Sequence, residues 1–191
     1  MGLDSVHLMM EIERAFEVTF SNQEAEKINT LSDCTNCIAK LKKVNNSTDP
    51  KIQELRAMIL SSCIKIGELE AFSPFQKIAH VINREQLHLI DAISHVTGLN
   101  IPKPKFGYIN KDSFIKKLLI SKPNYNWEEL TMNDFIDSIL ISNYKSFVNF
   151  KAPNSLDEIY FGIAGITSEN MDISSYEIEP SKSFCNDLGI D

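Results

Sequence analysis

No apolar run in this 191-residue sequence approaches the roughly 18 residues of a membrane span, and the N-terminus lacks the basic and apolar regions of a signal peptide. Glycine and proline are scarce, seven of each, and no glycine-rich phosphate loop is among them. The four histidines, His7, His80, His88 and His95, pair with no cysteine or serine in a nucleophile motif. His88 and His95 are seven residues apart and share a helix face, which a polar surface explains as well as a site does. Of the four cysteines, Cys34 and Cys37 form a C-x-x-C with no preceding strand, and no second pair completes a zinc site, so reduced thiols are expected. Cationic excess is missing too. A net charge of −7 weighs against phosphate-backbone binding and favours basic partner surfaces. No catalytic residue, metal site or nucleic-acid partner is expected, and the expected compartment is the cytoplasm.

What is present is ample apolar material, 43% of residues, enough for packed cores in one or two domains. From Gly2, apolar residues at Leu3, Val6, Met9, Ile12 and Phe16 recur at three- and four-residue steps, with Asp4, His7, Glu11 and Arg14 on the other side. That pattern predicts an amphipathic helix. Ser21 or Asn22 then caps a short second helix, and Thr30 or Ser32 a third that runs to about Lys42. Val44 to Pro50 has the composition of a linker.

Beyond the linker, Lys51 to Glu70 reads as a helix with Ile52, Leu55, Met58, Ile59 and Cys63 on one face. Arg84 to Val96 reads as another, with Leu89, Ala92, Ile93 and Val96 in a stripe. This second region repeats the first. Residues 87–102 align without gaps on residues 6–21, and Thr131, Met132, Asp134 and Ile139 take the places of Thr30, Leu31, Asp33 and Ile38, with about 20 extra residues between. The extra residues fall in 103–127. There, Lys103, Lys105, Lys111, Lys116, Lys117 and Lys122 alternate with Phe106, Tyr108, Tyr125 and Trp127, which reads as a solvated loop, a short helix from Asp112 to Ile120, and aromatics anchored on the core. Ile141 to Asn154 form a second junction in which Pro153 and Asn154 stop one helix, and Ser155 caps the next, opening on Asp157 and Glu158, with Leu156, Ile159, Ile163 and Ile166 in phase. Met171 to Ser181 is a polar loop.

The run LDSVHLMMEIERAF, the later AEKI, then Thr30-Leu31-Ser32-Asp33 and Ile38 resemble the second, third and fourth helices of an acyl carrier protein. The closing SKSFCNDLGID resembles the loop that leads into that family's attachment serine, and it ends at Asp191, the residue that would precede the serine. The resemblance implies an all-α protein of two acyl-carrier-like four-helix bundles. Residues 2–44 plus 155–191 would form one in permuted order, and residues 50–142 a second, degenerate one. Closure within one chain, exchange of 155–191 between neighbours in a homo-oligomer, and a fragment of a longer array all fit that order.

Carrier proteins hold acyl chains as thioesters on 4'-phosphopantetheine, and the resemblance implies a non-catalytic carrier in fatty-acid or polyketide-type synthesis. Its acidic helix, with Asp4, Glu11 and Glu13, would dock on basic surfaces of acyl-transfer or synthase enzymes. The matched attachment positions, however, are Gly2 and Asn83. Neither can form the phosphodiester. Ser5, in Gly-Leu-Asp-Ser, is the nearest candidate, but a register with Ser5 at the site would turn Glu11 and Arg14 into the core stripe. The alternative expectation is therefore an unprimed carrier fold that serves as an interaction module. By the same matching, Phe75, eight residues before Asn83, takes the place of Phe184.

Overall fold

A computed structural model describes residues 2–68, 73–105 and 125–190. Asp191 and the expected helix from Asp112 to Ile120 lie outside them. Among the described residues the fold is all-α, with seven α-helices and no strands. They are α1 (Leu3–Phe16), α2 (Asn22–Ala25), α3 (Leu31–Lys42), α4 (Pro50–Ile66), α5 (His88–Thr97), α6 (Met132–Ser142) and α7 (Leu156–Met171).

Short polar residues set the helix starts. Ser21, Thr30 and Thr131 each accept the backbone N–H of the third helical residue, whose carboxylate returns to the cap, so Ser21–Glu24, Thr30–Asp33 and Thr131–Asp134 are capping boxes. Asp49 caps α4 ahead of Pro50 by accepting from Lys51 N and Ile52 N. Helix α5 starts later than its pattern predicts. Asn83 caps a 3-10 turn, Arg84–Gln86, and the α-helix begins only at His88.

The face that α1 buries also differs from the expected one. Ser5, Leu8, Met9, Ile12 and Phe16 are buried, whereas Leu3, Val6 and Met10 are 84%, 42% and 52% exposed. The cause is helical geometry. At about 100° per residue Ser5 lies within about 20° of Phe16, while Leu3 lies about 140° away, so a run of three-residue steps drifts off the covered side. The same drift leaves Val96 exposed on α5, where Ile90 and Ile93 are buried.

Helix α7 packs against α1, α3 and α6, and α4 packs against α5 and α6, so one continuous core runs through both sets. Two glycines of α7 permit close approach. A Cβ on Gly162 would stand 2.8 Å from Phe16 Cζ, and one on Gly165 2.2 Å from the Tyr144 ring. The 44–50 linker is tied to the start of α7, with Leu156 N donating to Asn46 O (2.8 Å) and Asp157 N to Ser47 O (3.1 Å). The segment after α3 thus lies beside the start of α7 within one chain.

Candidate functional site

Both matched attachment positions cap a helical start with nearly the same backbone. Gly2 has φ −79° and ψ −174° ahead of α1, and Asn83 has φ −79° and ψ 174° ahead of its 3-10 turn. Gly2 brings no side chain to the cap. The Asn83 side-chain oxygen is already used, accepting from Glu85 N at 2.9 Å and Gln86 N at 3.1 Å. Ser5 is 3% exposed, and its hydroxyl donates to the Gly2 carbonyl at 3.0 Å. A phosphopantetheine arm needs a presented hydroxyl, and none of these three residues supplies one. The residues present do not fit the arm at the matched positions.

The three expected docking carboxylates are placed differently from one another. Asp4 is exposed in the first turn of α1, and Glu11 is paired with Arg14 at 2.6 Å. Glu13 faces the turn after α1, where Oε1 accepts from Phe20 N at 2.5 Å and its carbonyl accepts from Val18 N at 3.0 Å. Leu3, Val6 and Met10 are exposed together on one flank of α1, and no sequence argument had put them there. They are an apolar stripe, and at about 100° per residue Asp4 and Glu11 lie roughly 80–160° around the helix from it, with His7 and Arg14 between.

Two short extended segments cross the starts of α3 and α6 in the same way. Leu31 N donates to Lys182 O (3.3 Å), Ser32 N to Pro180 O (2.9 Å), and Phe184 N to Asn29 O (3.0 Å). At the start of α6 Met132 N donates to Gln76 O (2.8 Å), Asn133 N to Pro74 O (2.9 Å), and Ile78 N to Leu130 O (2.8 Å). These bonds pair Pro180 with Pro74 and Phe184 with Ile78. Phe184 and Ile78 are both buried, while Phe75 is 79% exposed, so the expected match of Phe75 to Phe184 is corrected. Counting back from Asn83 matched positions by number alone, whereas the backbone bonds place Ile78 against Phe184.

The described part of the insert is structural. Trp127 is buried and donates Nε1–H to Ile82 O at 2.9 Å, immediately before Asn83. Tyr125 packs on Tyr176 with centroids 5.1 Å apart, and Lys103 pairs with Asp91 at 3.0 Å. Lys111, Lys116, Lys117, Lys122, Phe106 and Tyr108 lie outside the described residues.

A cleft of about 280 Å³ lies between α6 and the C-terminal segment, lined by Tyr125, Asp134, Tyr176, Glu179, Lys182 and Asp187 among others. Three of its carboxylates have fold partners. Asp134 serves the Thr131 cap, Asp187 accepts from Ser183 N at 2.8 Å, and Glu179 lies 3.9 Å from Lys182. Gly2, Ser5 and Asn83 do not line it.

Cys34, Cys37, Cys63 and Cys185 are free thiols. Burial raises the Cys34 thiol far above its ordinary value and pushes Cys63 up to about 12, which keeps both protonated and unreactive at neutral pH. Among the described residues no group of three histidine, cysteine or carboxylate side chains is disposed to hold a metal, and no helix is long and apolar enough to cross a membrane. No family model, curated protein or solved structure matches this chain.

Proposed function

We infer that the chain is a tandem carrier-fold protein that works without a prosthetic group, as a non-catalytic protein–protein interaction module. The observation that carries the reading is that neither matched helix cap offers a free hydroxyl. Gly2 has none, the Asn83 side chain is spent on its own turn, and the Ser5 hydroxyl is buried on the Gly2 carbonyl. In this account α7 serves as first helix to α1, α2 and α3, and α4 serves as first helix to α5 and α6. What supports the duplication is the shared cap conformation and the matching hydrogen bonds of 180–184 and 74–78.

The working surface is the outer side of α1. Leu3, Val6 and Met10 supply apolar area, while Asp4 and Glu11, farther round the helix, supply longer-range charge that attracts a basic partner face, of the kind acyl-transfer and synthase enzymes present to carriers. Calorimetric titration of the full chain into a ketosynthase with such a face tests this directly. Val6→Glu combined with Met10→Glu is expected to weaken binding by roughly tenfold or more, with helicity unchanged, because both residues are exposed. Unchanged affinity in the double variant, or no binding by the unaltered chain, contradicts the assignment.

A further inference from the structure

Three helices meet around one guanidinium. Arg56 of α4 places Nη2 2.6 Å from Asp137 Oδ1 on α6, and its Cζ lies 5.6 Å from the centre of the Phe161 ring on α7. Asp157, at the start of α7, also feels the Arg56 charge and accepts from Gln53 Nε2 of α4 at 3.4 Å. Asp134 on α6, Tyr160 on α7 and Glu179 after α7 face the same point, and together with Asp137 they line a cleft of about 170 Å³. Asp49, the α4 cap, faces Asp157.

The charges do not balance. Arg56 is the one cation acting on Asp137 among the described residues, against Asp134 and Asp157 as further anions. Asp137 Oδ1 is shut off from solvent, and the Arg56 guanidinium 2.6 Å away is the one group among the described residues that supports its ionised form against burial. Neither side chain is more than a third exposed.

We propose that this junction is a proton-responsive clasp, in which Asp137 takes one proton from solvent as the pH falls below neutral and α4 is thereby held more firmly on α6 and α7. The proton adds to a carboxylate oxygen, Arg56 stays charged, and Asp157 remains an anion within reach of that charge. Burial pushes the Asp137 carboxyl up to about 6 despite the opposing pull of Arg56. In the unfolded chain the same group titrates near 3.9, so the folded state binds this proton more tightly. The associated stability is fully present below about pH 4 and is lost as the pH rises through the folded value. The clasp shares no residue with the proposed docking face and stands or falls apart from it.

Thermal unfolding of the full chain and of Asp137→Asn at about pH 5.5 and 7.5 tests the clasp. The midpoint of the unaltered chain is expected to rise on acidification by about 3 °C more than that of the variant, and the variant to melt higher at the upper pH. Amide exchange along α4 of the unaltered chain, corrected for chemical rate, is expected to be slower at the lower pH. Equal pH slopes in the two proteins, a lower midpoint of Asp137→Asn at the upper pH, or α4 protection independent of pH each overturns the proposal.

Discussion

Gly165→Ala is expected to destabilise the protein by about 3 kcal/mol, although alanine is the better helix former. The new Cβ would stand 2.2 Å from both Cγ and Cδ1 of Tyr144. Those atoms sit next to the tyrosine backbone and cannot swing aside as a flexible chain end does. The ring must move as a whole, and with it the hydrogen bond from Tyr144 Oη to Glu169 Oε2 and the edge contact with Phe150. The loss far exceeds the propensity gain of about 1 kcal/mol. In a chain of this size it lowers the melting midpoint by roughly 6–10 °C. A midpoint equal to or above that of the unaltered chain would show that Tyr144 has another low-energy seat.

Glu158→Ala is expected to cost a similar amount, about 3 kcal/mol in denaturant unfolding at neutral pH. The carboxylate is 3% exposed and accepts from Asn149 N at 2.5 Å and Asn154 N at 2.7 Å, while its own N–H is capped by Ser155 Oγ. Removing it strips two charge-assisted bonds from the segment that carries the chain from α6 into α7. Glu158→Gln keeps one accepting oxygen and should lie about midway. A cost no larger than that of an exposed helix substitution would mean that Ser155 and the 46–47 carbonyls hold the junction alone.

These two side chains also show where sequence reading stops. Glu158 had the address of an acid that merely complements a helix N-terminus, and nothing nearby announces that two loop amides converge on it. The capping boxes at Thr30–Asp33 and Thr131–Asp134 were legible because both partners lie within one turn. The outward turn of Leu3, Val6 and Met10 was not, since what covers α1 is α7, about 150 residues along the chain. Arg56 and Asp137 are 81 positions apart, and no local pattern joins them. Phe75 was misplaced because counting residues cannot see which of them cross a helix start, whereas the backbone bonds of Pro74 and Ile78 register it directly.

The central claim is that the chain functions unprimed. The direct test is the intact mass of the full chain after incubation with coenzyme A and a broad-specificity phosphopantetheinyl transferase, beside a primable carrier in the same reaction. The account predicts an unchanged mass for this chain while the control gains its arm. Addition of an arm to this chain, at Ser5 or any other serine, would contradict it and make the protein a carrier of acyl groups.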